Sequence, residues 1–215
     1  LANLLRAGAE MKQILAIDDN ADILYTLQAI GEVAKLNVTT VNDGFKALDL
    51  LEKNRFDLVM VDYYMPDING LALVKKIRER DQDIPILVLT VDESIDLANK
   101  FIRAGATDFA NKPIKAADLI SRVKLHLKLS KEKQPMEIKG LDLPKGVTFP
   151  TLQLILDYLK HTNTPQTIDA ISLQTGLAYQ TAHRYLNYLV TENYIGVEIK
   201  YGKIGRPIHE FFLKK

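Results

Sequence analysis

A chain of 215 residues, 47% of them hydrophobic, is long enough to bury one large core or two ordinary ones. It has no cysteine, which excludes a disulfide framework or a thiolate metal centre, and no apolar run reaches the roughly 18 residues of a membrane span, so a cytoplasmic protein without membrane insertion is expected. The net charge of +1 conceals a division, since residues up to Ser130 carry −2 and the remainder +3, which suits a cation site in the first half and a polyanion in the second.

Residues 1–10 precede Met11 and are set aside as a leader or expression scar. Five short apolar runs follow, Ile14 to Ile17, Val38 to Val41, Leu58 to Val61, Ile86 to Leu89 and Thr107 to Ala110, and they read as buried strands. Between them the apolar period becomes helical, as in Ile23, Leu27, Ile30 and Ala34, then Leu71, Val74 and Ile77, then Leu97 and Phe101. Strands alternating with helices predict an α/β domain over 11–130, a doubly wound five-stranded parallel sheet closed by a helix carrying Leu119, Val123 and Leu127.

The stretch SKEKQPMEIKGLDLPKG mixes charge, proline and glycine without periodicity, so 131–146 reads as a linker. Beyond it, Leu152, Ile155, Leu156 and Leu159 mark a helix. Thr167 is an N-cap for a second helix that Gly176 ends, and a third runs from Ala178 to about Glu192. Alternating Ile195, Val197, Ile199 and Tyr201, a turn to Pro207 and a last strand through Phe212 form a hairpin, making 147–215 a winged helix-turn-helix domain.

In an open parallel sheet, ligands collect at the carboxyl ends of the strands. Asp18 and Asp19 end the first strand, Asp62 the third and Thr90 the fourth, and Lys112 follows the fifth. Three converging carboxylates repel one another, and oxygen ligands select a hard cation such as Mg²⁺. An ionised Asp beside Mg²⁺ and a lysine can attack phosphorus, while a threonine hydroxyl can report the new phosphoryl oxygen. Single aspartates in loops are usually solvated caps or turn residues; five matched positions across the domain point past that reading.

The series ILAIDDN, LVMVDYYMPDING, ILVLT and DFANKP resembles the flavodoxin-like receiver domains of two-component response regulators. The resemblance implies that Asp62 is the phosphoacceptor and that Asp18, Asp19, Asp62 and the backbone carbonyl of Tyr64 hold Mg²⁺. It further implies that Lys112 contacts the phosphoryl group, that Thr90 and Phe109 form a switch pair, and that the Lys112–Pro113 bond is cis. Receivers commonly carry a smaller residue after the threonine, so Val91 is expected to prolong the phosphorylated state.

On the third C-terminal helix, Ala182, Tyr185, Leu186 and Leu189 share one stripe, and Gln180, His183, Arg184 and Asn187 share the opposite one. Those polar types suit base edges and phosphates, and Tyr179 and Thr181 sit at the helix start that usually meets DNA. Any surface helix has a polar face; the basic turn with Lys200, Lys203 and Arg206 beside this one favours DNA.

LPKGV, TIDAISLQTGLAYQTAHRYLNYLVTENYI and YGKIGRP resemble the CitB-like regulators of citrate and C4-dicarboxylate metabolism. That resemblance implies a membrane sensor histidine kinase as phosphodonor and promoter DNA as target; RNA polymerase is expected as a further partner of a transcription regulator. A homodimer would match two half-sites, though no heptad names its interface.

Two alternatives stay open. An aspartyl-phosphate hydrolase of the haloacid dehalogenase type uses the same groups, but its acid two residues after the nucleophile is replaced by Tyr64. A winged helix can also dock protein instead of DNA. The expectation is a regulator that is no enzyme beyond acquiring and losing its own phosphoryl group.

Overall fold

The computed structural model describes residues 11–92, 94–130, 143–144, 147–162, 164–200 and 207–214, and gives only the backbone of 95, 96, 98, 99 and 102. The expected leader, most of the expected linker, and the wing turn with Lys203 and Arg206 lie outside the described residues.

The first half alternates β1 (Gln13–Ile17), α1 (Ala21–Ala34), β2 (Asn37–Val41), α2 (Gly44–Lys53), β3 (Leu58–Asp62), α3 (Gly70–Arg80), β4 (Ile86–Thr90), α4 (Ile95–Ala104), β5 (Asp108–Asn111) and α5 (Ala116–Leu129). The five strands pair in parallel in the order β2-β1-β3-β4-β5, so the order of winding reverses between β1 and β3, the place where open α/β sheets bind ligands at the strands' carboxyl ends. Both faces are covered, which explains apolar runs without alternation. On one face Leu15, Val59, Val61 and Val88 meet Leu73, Val74, Ile77 and Phe101. On the other, Ile14, Met60 and Leu87 meet Leu27, Leu119, Val123 and Leu127.

Helix α2 has no counterpart in the predicted series, because it buries little beyond Ala47 and Leu48. Side-chain caps fix three helix starts: Asn20 accepts from the N–H groups of Asp22 and Ile23, Asp43 from those of Phe45 and Lys46, and Asn69 from that of Ala72. Since Asn20 caps α1, Asp18 and Asp19 are not its capping residues.

The second half comprises α6 (Phe149–His161), β6 (Gln166–Thr167), α7 (Ile168–Thr175), α8 (Tyr179–Thr191), β7 (Ile195–Lys200) and β8 (Ile208–Leu213). Thr167 caps α7 as expected, its hydroxyl accepting from the Ala170 N–H at 3.2 Å. Leu152, Ile155, Ile171, Tyr185, Leu186, Leu189 and Phe211 form a core of their own. The two-residue strand β6 escapes prediction because it is too short to alternate; it pairs with β8 in the sheet β6-β8-β7. Val197 to Lys200 are exposed, so beyond Gly196 strand β7 stands out from the core.

Candidate functional site

The carboxyl edge of the parallel sheet gathers Asp18, Asp19, Asp62 and Lys112. Asp18 is fully buried and Asp62 nearly so, while Asp19 is exposed, and one carboxylate oxygen from each lies within 4.8 Å of the others. The Lys112 Nζ donates to Asp18 Oδ2 at 2.6 Å and pairs with Asp62 Oδ1 at 2.8 Å, so one ammonium bridges two buried carboxylates. Burial pushes the Asp62 carboxyl above its ordinary value and the charge of Asp18 adds to that, against the opposing bond from Lys112. For Lys112 burial acts downward, but its bonds to Asp18 and Asp62 outweigh it and raise its pKa. Three carboxylates facing one ammonium leave an acidic excess of oxygen donors, a set that fits Mg²⁺.

Backbone packing fixes this edge. A Cβ on Gly70 would lie 2.2 Å from the carbonyl oxygen of Asp62, so only glycine lets α3 start so close to the end of β3. The Lys112–Pro113 peptide is cis. Tyr64 lies two residues past Asp62, its exposed ring tilted against Tyr63 at 4.3 Å between centroids.

Thr90 and Phe109 are buried on adjacent strands and line one small cavity with Asp92, Leu97, Asn111 and Gln180. The Thr90 hydroxyl is turned to its own chain, accepting from the Asp92 N–H at 3.0 Å. The Phe109 ring meets Phe101 edge-on at 6.2 Å. Val91 is 63% exposed beside this group.

The expected DNA-facing stripe of α8 requires a correction. Tyr179 and Asn187 are exposed, and Tyr179 stacks with His183 at 6.3 Å. Thr181 is only 1% exposed, however, and its hydroxyl donates to the carboxylate of Asp108 on β5. Arg184 is partly covered, its guanidinium donating to the Ala106 carbonyl at 3.4 Å and lying over the Tyr185 ring. Gln180 reaches the cavity beside Thr90 and Phe109. This part of the helix is therefore docked on the first half of the chain, and the anchoring residue, Asp108, carried no sequence signal because it reads as one polar residue within the run Thr107 to Ala110.

The profile of the response regulator receiver domain matches residues 14–124, and that of the IclR helix-turn-helix domain matches residues 154–197. A probable C4-dicarboxylate response regulator of Halalkalibacterium halodurans is 32% identical over 74% of this chain and 76% of its own. The transcriptional regulatory protein CitT of Bacillus subtilis is 30% identical over 80% of this chain and 88% of its own. The solved chemotaxis protein CheY4 of Vibrio cholerae superposes with a TM-score of 0.52 at 31% identity, covering 54% of this chain and 98% of its own. With the profile covering the parallel-sheet half and the relatives spanning both halves, the chain belongs to the response regulators, with a receiver domain and a DNA-binding helix-turn-helix domain.

Proposed function

We propose that Asp62 receives a phosphoryl group from a sensor histidine kinase and that the phosphorylated protein acts at promoter DNA, in the cytoplasm, on genes for C4-dicarboxylate or citrate uptake and metabolism. The observation that carries the chemistry is the Lys112 ammonium held between Asp18 and Asp62 at the sheet's carboxyl edge. In the transfer, an Asp62 oxygen forms a bond to phosphorus as the bond from phosphorus to the kinase histidine nitrogen breaks, and the nitrogen keeps the electron pair. Lys112 meets the negative charge on the transferring oxygens, and Thr90 turns its hydroxyl from Asp92 to the new phosphoryl group, with Phe109 following. Asp18, Asp19, Asp62 and the Tyr64 carbonyl would hold Mg²⁺, which would add positive charge beside Lys112 against the transferring oxygens. Tyr179, His183 and Asn187 are the groove-facing residues that α8 leaves at least partly open, Gln180, Thr181 and Arg184 reach DNA only when the start of α8 is off the receiver half, and Lys203 and Arg206 are the phosphate contacts. A homodimer on paired half-sites and contact with RNA polymerase complete the reading. The metabolite rests on the name of the C4-dicarboxylate relative and on the CitB-like motifs.

A time course with acetyl phosphate tests the chemistry. About one phosphoryl group per chain should accumulate with Mg²⁺ and none after chelation, whereas continuous release of many phosphates per chain would make the protein a phosphatase. In the same assay Val91→Ala should lose its label severalfold faster, because the exposed valine beside Thr90 screens the phosphoryl group from water. An unchanged decay rate removes that role from Val91.

A further inference from the structure

The edge of the parallel sheet opposite Asp62 carries a second concavity. A cavity of about 700 Å³ lies between the amino ends of β3, β4 and β5 and the start of α6, and it shares no lining residue with the phosphoacceptor site. The first half of the chain contributes Phe56, Ile84 and Pro85 to its apolar wall, and the second half contributes Leu143, Val147 and Phe149. That volume, walled by apolar side chains and a few polar groups, suits a small organic molecule.

The polar groups on the wall are not all spent within the chain. Buried Arg78 gives one N–H from Nη1 to the Asp81 carbonyl at 3.1 Å and one from Nη2 to the Thr107 hydroxyl at 3.2 Å. Each of those nitrogens carries a second N–H, and neither has an acceptor among the described residues. The buried Thr107 hydroxyl accepts from Arg78 and from the Ile86 N–H at 3.0 Å, which leaves its own proton without an acceptor among the described residues. Three donors on two adjoining side chains thus border one cavity.

The surrounding charge selects the headgroup. Burial lowers the Arg78 pKa only to about 10, so it is a cation at neutral pH. Among the described lining residues the other group able to carry positive charge is His126, whose Nε2 pairs with Asp108 at 2.9 Å. Asp57 is bridged by Lys12, while Asp81 and Asp83 line the cavity as exposed carboxylates. One buried cation flanked by such carboxylates accepts a single negative charge and repels a second.

We propose that this cavity binds a small monocarboxylate with an apolar body, its carboxylate on Arg78 and Thr107 and its body against Phe56, Ile84, Val147 and Phe149. A planar guanidinium matches a carboxylate in geometry as well as in charge. Because the walls come from both halves of the chain, the bound acid stabilises their docked arrangement by mass action, as an input separate from phosphorylation.

Calorimetric titration of the full chain with 3-phenylpropionate tests the site, with 4-methylpentanoate as a second body. One equivalent should bind. The uncharged 3-phenylpropan-1-ol and the dianion succinate should each bind on the order of tenfold more weakly. Arg78→Met, titrated at a temperature where circular dichroism shows it folded, should lose affinity by a similar factor. Amide exchange on wild type should slow over residues 84–87 and 147–152 when 3-phenylpropionate is added. That map needs no substitution, so it decides the matter if Arg78→Met fails to fold. The proposal is overturned by no saturable binding of either acid up to about 10 mM, by equal affinity for the alcohol or for succinate, by unchanged affinity of folded Arg78→Met, or by protection confined to other residues.

Discussion

Replacing Asp62 with Asn should reduce phosphoryl incorporation from acetyl phosphate to background while leaving the protein at least as heat-stable as wild type. The first half follows from chemistry, because a carboxamide is not a nucleophile toward phosphorus at neutral pH. The second follows from the site's charge balance. Burial and the Asp18 charge raise the Asp62 pKa above its unfolded value, so the native state binds that proton more tightly than the unfolded chain does. A raised native pKa contributes stability that is complete below the unfolded pKa and is lost as pH rises through the native one. At neutral pH the ionised carboxylate is thus a cost, which Asn removes while keeping an oxygen to accept from Lys112. Loss of label with a raised or unchanged melting temperature separates a missing nucleophile from a misfolded site. A folded Asp62→Asn protein that still takes up label would move the acceptor to Asp18 or Asp19. Magnesium supplies an internal check: it should raise the melting temperature of wild type more than that of Asp62→Asn, which has lost one anionic oxygen ligand.

Most of this site was legible because its parts sit where apolar runs end. In a sheet buried on both faces, a strand such as LVMV is uniformly apolar, so the first charged residue after it, Asp62, marks the carboxyl edge without any knowledge of the packing. The same edge, read for the first polar residue, marks Asp18 and Thr90, and Lys112 is the first charge after the fifth run. The docking of α8 was not legible, for a different physical reason. Thr181 and Asp108 are 73 residues apart and each is an ordinary polar residue in its own element, so neither breaks a periodic pattern. Helix periodicity separates core from non-core sides, and it cannot distinguish a polar face turned to water from one turned to another domain. Arg78 was hidden in a similar way, since in KKIRER it reads as one more solvated charge, yet it is 5% exposed.

Arg78 carries the largest expected effect on stability: Arg78→Ala should lower the unfolding free energy by about 2–4 kcal/mol in urea titrations. Its guanidinium is spent on the turn between α4 and β5. Nε donates to the Gly105 carbonyl at 2.8 Å, Nη2 to the Thr107 hydroxyl at 3.2 Å and Nη1 to the Asp81 carbonyl at 3.1 Å. Burial lowers its pKa to about 10, so it remains charged at neutral pH and its bonds are of the stronger, charge-assisted kind. Gly105 is matched to it: with φ +107 it occupies backbone space that side chains avoid, and a Cβ there would lie 2.6 Å from Arg78 Cγ. Deleting the guanidinium strands the buried Gly105 carbonyl, although the open cavity of about 700 Å³ beside Arg78 admits water and keeps the loss below that of a sealed core. Arg78→Met retains the apolar stem, so it should recover only the packing share and remain clearly less stable than wild type. The turn also presents the Ala106 carbonyl to Arg184 and leads directly into Asp108. Both variants should therefore speed amide exchange over residues 177–182 at urea concentrations well below global unfolding. A cost under about 0.5 kcal/mol, or a loss of stability with those amides unaffected, would show that the turn holds its shape without Arg78 and does not brace the docked helix.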